Sequence, residues 1–168
     1  SGFMNYSVAV TLLAQDRLEE ARRTFTEGSR LWVAADLSDK GVLIERLRVL
    51  LPLYEGQAQE AYQHMQAYWA LLRQTHSDRV QFLRADCLRL RATCAITLAS
   101  AASSSERERL LREAERDARR LAHEDLPVHR TVALCLRAGI GSVRRDPVAV
   151  THFAAAAAAF DAAEMGLD

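Results

Sequence analysis

The sequence is poor in lysine, proline, cysteine and aromatic residues, and it has no excess of charge of either sign. Its 168 residues include 3 Pro, 3 Cys and a single lysine, Lys40. The 22 basic and 22 acidic side chains cancel, which argues against a dedicated nucleic-acid binder or a polybasic membrane binder, because both depend on excess positive charge. No apolar run approaches the roughly 20 residues that a membrane-spanning helix needs.

The cysteines Cys87, Cys94 and Cys135 are too few for a disulfide framework in a chain of this length. Cys87 and Cys94 are seven residues apart, without the closer spacing and the partner ligands of a zinc site. We therefore expect free thiols, with Cys87 and Cys94 buried, in a reducing, cytoplasmic compartment. The 5 histidines show no metal-binding spacing, so we expect no metal and no cofactor.

What the sequence has in abundance is alanine, leucine and arginine, which are among the best helix formers. Almost no stretch alternates between apolar and polar residues, so we predict no sheet and an all-α fold. Turn residues divide the chain into eight segments of helical length, which run approximately over residues 3–15, 17–34, 39–55, 57–75, 78–100, 105–124, 127–144 and 147–165.

The connections between these segments predict four antiparallel helix pairs. The links at Asp16 and Gly56 are too short for any other arrangement of their flanking helices. Turn markers at Asp16, Gly56, about Ser104 and Asp146 are separated by 40, 48 and 42 residues, close to the period of about 34–47 residues of helical-repeat solenoids. Asp16 and Asp146 also have the side-chain oxygens of helix N-caps.

The sequence contains no recognisable combination of nucleophile, base and metal ligands, so we expect a protein that is not an enzyme. Gly139-Ile140-Gly141 begins like a dinucleotide-binding loop, but Arg144 occupies the place of the third glycine and no strand precedes it. We interpret these glycines as a loosened helix end or a close contact between helices.

Two stretches resemble the turn and second helix of a tetratricopeptide repeat (TPR), namely residues 14–25, AQDRLEEARRTF, and residues 55–61, EGQAQEA, followed by Met65. Residues 146–162 resemble a degenerate third copy. The first-helix pattern of that family is not kept, so the chain is similar to a TPR-like solenoid and not to a strict TPR array. The resemblance implies a single domain over residues 1–168, with four helix pairs stacked in a right-handed α-solenoid.

Degenerate repeats of this kind resemble the helical regions of large bacterial signalling proteins, among them multidomain Ser/Thr kinases and LuxR-type ATPase regulators. The resemblance implies a non-catalytic scaffold that binds a protein or peptide; the alternative is a sensor of a small molecule or signalling peptide. Because the first and last segments lack a polar face, we expect a fragment of a longer solenoid or multidomain protein, or association with another chain, including a second copy.

In TPR-like solenoids the first helix of each pair lines the concave face, and here those helices are rich in arginine. We expect the partner, an acidic or phosphorylated protein segment, to contact Arg46, Arg84, Arg89, Arg91, Arg130 and Arg137, because guanidinium groups bind carboxylates and phosphates through paired hydrogen bonds. Tyr62 and Trp69 would accept apolar side chains. The alternative for the arginines is a solvated helix face paired to Asp86 and Glu45. The alternative for the aromatic residues is a core between repeats.

Overall fold

The computed structural model describes residues 2–30 and 39–164, and in these ranges the chain is helical. It forms eight α-helices and one 3₁₀ turn, without a strand in the described parts, which confirms the all-α prediction at this level. The predicted helical residues 31–34 and 165 lie outside the described residues. Within the described ranges no helix has both the length and the apolar character needed to cross a bilayer.

The chain forms two compact units, Ser1–Gln74 and Thr75–Asp168. The helices of the first unit are α1 (Gly2–Ala14), α2 (Leu18–Arg30), α3 (Asp39–Tyr54) and α4 (Ala58–Gln74). As predicted, α1 packs on α2 and α3 packs on α4, and α3 also contacts both α1 and α2. The core of this unit includes the buried side chains Ala9, Leu13, Ala21, Val49, Met65 and Tyr68.

The second unit begins with the 3₁₀ turn Ser77–Arg79 and continues with α5 (Gln81–Ala101), α6 (Ser104–Ala122), α7 (Pro127–Arg144) and α8 (Val148–Glu164). The predicted pairs are again neighbours, α5 with α6 and α7 with α8, and α7 contacts both helices of the preceding pair. The core of this unit includes Leu88, Leu90, Leu110, Leu111, Leu121 and Ala138.

Three of the four helix pairs are joined by the same turn. One residue with positive φ follows the first helix, and the N–H of the next residue donates to a carbonyl five positions earlier, as in a Schellman motif. The positive-φ residues are Asp16 (60°), Gly56 (75°) and Arg145 (58°). The bonds, of 2.9, 2.8 and 2.8 Å, run from Arg17 to Leu12, from Gln57 to Pro52 and from Asp146 to Gly141. At the α5–α6 connection, Ala102 instead has extended backbone.

The two predicted N-caps have different outcomes. Asp146 is confirmed, since its Oδ1 accepts the N–H of Val148 at 2.9 Å. Asp16 as the N-cap of α2 is wrong, because its left-handed backbone belongs to the turn that ends α1. Aspartate tolerates this conformation better than most residues, because its short polar side chain hydrogen-bonds locally.

Gly141 allows α8 to approach α7 closely. A Cβ placed on Gly141 would lie 3.0 Å from the Cβ of Ala149 and 3.3 Å from its Cα. A Cβ placed on Gly139 would lie 3.6 Å from Ile96, an ordinary contact distance. The interpretation of these glycines as a close helix contact is therefore confirmed for Gly141.

Gly141→Ala is expected to destabilise the protein, and Gly139→Ala provides its matched control. Each substitution stabilises its helix by the same amount, about 1 kcal/mol, because alanine has a higher helix propensity than glycine. Only Gly141→Ala also forces backbone and side-chain atoms of α8 away from α7. We expect its free energy of unfolding, measured with urea, to fall about 1–3 kcal/mol below that of Gly139→Ala. Equal stability of the two variants would contradict a close α7–α8 approach.

Candidate functional site

The predicted partner-binding residues are divided between the two units. Arg46, Tyr62 and Trp69 belong to the first unit, where all three are half-buried. Nη1 of Arg46 donates to the hydroxyl of Tyr6 at 2.5 Å, which connects α3 to α1. The other five arginines lie in the second unit.

Arg91 makes a buried ion pair in the second unit. Its side chain is only 11% exposed, and that of Asp117 is fully buried. Nε of Arg91 donates to Oδ2 of Asp117 at 2.6 Å, and Nη2 donates to Oδ1. This bidentate pair connects α5 to α6, so Arg91 contributes to the interior rather than to an open face.

Arg84 makes a second bidentate pair. Its Nε and Nη2 donate to the Glu124 carboxylate at 2.7 and 2.8 Å, and its Nη1 donates to the carbonyl of Asp78 at 3.1 Å. The hydrogen bond from Arg84 holds the pKa of Glu124 below its usual value. Arg84 lies two helical turns before Arg91 on α5, and Glu124 lies seven residues after Asp117, just past the end of α6. The two pairs therefore fix an antiparallel register of α5 and α6.

Sequence reasoning missed the role of Asp117, although a signal for it is present. The buried apolar stripe of α6 contains Leu110, Ala114 one turn later and Leu121 two turns after that. Asp117 lies on the same stripe, one turn from both Ala114 and Leu121. An acidic residue within such a stripe indicates a carboxylate that must find a cation in the core.

The remaining arginines of α7 have different surroundings. Arg130 is exposed. Arg137 is 34% exposed, with its Nε 3.7 Å from Oε1 of Glu115 on α6. Because Arg84, Arg91 and Arg137 all face carboxylates of this chain, the structure does not bring the predicted arginines together as one open basic groove in the second unit.

A shallow pocket lies between α5 and α7, with a volume of about 170 Å³. We call it the Phe82 pocket. Its lining consists of Phe82, Ala85, Asp86, Arg89, Leu121, His129 and Val132. Phe82 is 72% exposed, so most of its ring is available to an apolar side chain of a partner.

Arg89 gives the Phe82 pocket its polar component. Its Nη2 donates to Oδ1 of Asp86 at 2.7 Å, and its side chain remains 35% exposed. A guanidinium has five N–H donors in a fork, so Arg89 can donate to a further carboxylate or carbonyl while it keeps its hydrogen bond to Asp86. The pocket therefore combines an apolar surface, on Phe82 and Val132, with an adjacent cation.

The cysteines have the character that the sequence predicts, since all three are thiols outside any disulfide and Cys87 and Cys94 are buried. Burial raises the pKa of Cys94 to about 12 and also raises the pKa of the half-buried Cys135. Both thiols are therefore protonated at neutral pH, whereas the thiolate is the nucleophilic form. Among the described residues, no three His, Cys, Asp or Glu side chains are grouped so that they could hold a metal ion.

Comparisons of the chain with protein-family models, with curated proteins and with solved structures find no match.

Arg91→Met is expected to destabilise the protein by about 3–5 kcal/mol, because it leaves the buried Asp117 carboxylate without a cation. The double variant Arg91→Met/Asp117→Leu removes both charges and is expected to recover most of that loss. Urea unfolding of the two variants and the original protein measures the difference. If Arg91→Met is as stable as the original protein, the buried carboxylate of Asp117 does not depend on Arg91 for its stabilisation.

Proposed function

We propose that this chain is a TPR-like helical-repeat segment that binds a protein or peptide and has no catalytic role. Its four helix pairs would form a right-handed α-solenoid. Two features support this arrangement. In each unit the third helix contacts both helices of the preceding pair, and three of the pairs share one Schellman turn. Repeated units that contact their sequence neighbours are characteristic of solenoids.

The proposed binding site is the Phe82 pocket, because α5 and α7 are the first helices of successive pairs and such helices line the binding face of TPR-like proteins. The observation that carries the proposal is the 72% exposed ring of Phe82 beside the guanidinium of Arg89. Exposed aromatic and arginine side chains are the residues that most often dominate the energy of protein interfaces.

The size of the Phe82 pocket favours a peptide over a small-molecule ligand. Small-molecule sites usually enclose about 300–1,000 Å³, and this pocket has about 170 Å³. That volume suits one apolar side chain of a longer partner, with a neighbouring carboxylate of the partner on Arg89. The alternative of a small-molecule sensor therefore has less support.

The non-catalytic role is supported by the chemistry of the thiols. With its pKa raised to about 12, Cys94 is protonated at neutral pH and is not a nucleophile. A reducing, cytoplasmic compartment is supported by three cysteines that form no disulfide with one another. The proposed context is a regulatory segment of a bacterial signalling protein, which is the context that the degenerate repeats resemble.

Peptide selection tests this proposal directly. Binders are selected from a random display library on the full chain, and the affinity of the best peptide is measured by isothermal titration calorimetry. Phe82→Ala is expected to weaken that affinity at least about tenfold, as truncation of an aromatic anchor does. Arg89→Gln is expected to weaken binding of those selected peptides that contain an acidic residue.

Phe153→Ala is the matched control, because Phe153 is also exposed, at 50%, but lies on α8. It should leave the affinity unchanged. The proposal fails if the library yields no binder, or if Phe82→Ala and Phe153→Ala bind the selected peptide equally well.

A further inference from the structure

The exposed face of α6 has a row of arginines that the Phe82 pocket does not use. We call this row the arginine ridge, and it consists of Arg109, Arg112, Arg116 and Arg119 with Arg144 from the end of α7. The four residues of α6 follow each other at steps of three, four and three, which places them on one side of the helix. The five arginines and Glu115 line an open depression of about 540 Å³.

Three arginines of the ridge are held by carboxylates of this chain. Arg109 pairs with Glu106, Arg119 pairs with Glu115, and Arg144 pairs with Glu108, at N···O distances of 2.5, 3.2 and 3.2 Å. Each of these carboxylates holds one of the outer guanidinium groups, and none of them is hydrogen-bonded to Arg112 or Arg116. They therefore form the border of the ridge.

The two central arginines are different. Arg112 and Arg116 are exposed, and within the described ranges neither side chain has a hydrogen bond or an ion pair. They are one turn apart, and like charges at this spacing destabilise a helix. The pKa of Glu108 is lowered by the hydrogen bond from Arg144 and, to a smaller extent, by the charge of Arg112. The charge of Arg112 is thus partly balanced, but the N–H donors of both central guanidinium groups remain open to an incoming acceptor.

We propose that the arginine ridge binds a phosphorylated serine or threonine in a segment of a partner protein, with the phosphate between Arg112 and Arg116. A phosphoserine has a charge of about −1.5 to −2 at neutral pH and three acceptor oxygens, which matches two neighbouring guanidinium groups. A carboxylate would neutralise only one of them.

A phosphopeptide fits the ridge better than a nucleic acid does. The carboxylates of Glu106, Glu108 and Glu115 border the central arginines, and they would repel the continuous phosphate backbone of a polyanion. They leave room for one isolated phosphate at the centre. The ridge shares no residue with the Phe82 pocket. A failed test of one proposed site therefore leaves the proposal for the other site unaffected.

The test uses the full chain labelled with ¹⁵N and a short alanine-glycine peptide that contains one phosphoserine. The arginine Nε–Hε signals are followed by NMR as the peptide is added. We expect saturable shifts of the Arg112 and Arg116 signals, and we expect smaller shifts with the same peptide containing serine or glutamate. Arg112→Gln/Arg116→Gln should weaken binding at least about tenfold.

Arg73→Gln/Arg79→Gln is the matched control, because both residues are exposed and neither lies on the ridge. It removes the same charge and should leave the affinity unchanged. Equal shifts with the glutamate peptide would indicate a general acidic site and overturn the proposal. The proposal would also be overturned if a short RNA binds more tightly than the phosphoserine peptide, or if inorganic phosphate binds as tightly as that peptide. A titration in which the Nε–Hε signals of Arg112 and Arg116 do not shift would overturn it as well.

Discussion

The buried pair between Arg91 and Asp117 is the constraint on which the second unit depends. Among the described residues, Asp117 is the one charged side chain that the core encloses completely. A buried carboxylate is strongly unfavourable unless a cation and hydrogen bonds compensate its lost hydration. Because the compensating guanidinium comes from α5, the α5–α6 pair can satisfy Asp117 in only one register. Arg84, two turns earlier on α5, supports that register through Glu124, which lies just past the end of α6.

A fixed α5–α6 register determines where the two candidate binding surfaces lie. The buried stripe of α6, from Leu110 through Asp117 to Leu121, faces α5 and α7. By helical geometry, Arg112 and Arg116 are on the opposite side of α6 and must be exposed. On α5, the same register directs Arg84 and Arg91 to carboxylates and leaves Phe82 and Arg89 at the surface beside α7. The ion pairs thus separate arginines that stabilise the fold from arginines that are open to a partner.

The sequence predicted the helices of this protein well, because their signals are local. The α7 segment matches its prediction, Gly56 has the positive φ expected of a turn glycine, and Cys87 and Cys94 are buried. The pairing of arginines with Asp86 and Glu45 is also confirmed, because it joins residues three apart on one helix. The partners of arginines on other helices were not predictable in the same way. Arg91 and Asp117 are 26 residues apart, and Arg84 and Glu124 are 40 apart, so the pairing follows from helix register. With 22 acidic residues in the chain, charge alone does not select the partner.

Native-state hydrogen exchange tests the central role of the Arg91–Asp117 pair most directly, because it measures the stability of each helix within the intact protein. The expected result is that the amides of α5 and α6 around Arg91 and Asp117 exchange most slowly in the second unit. They should be slower than the amides of α8, where long stretches of side chains are exposed. Exchange of the α5 and α6 amides at the rate of α8 or faster would contradict it.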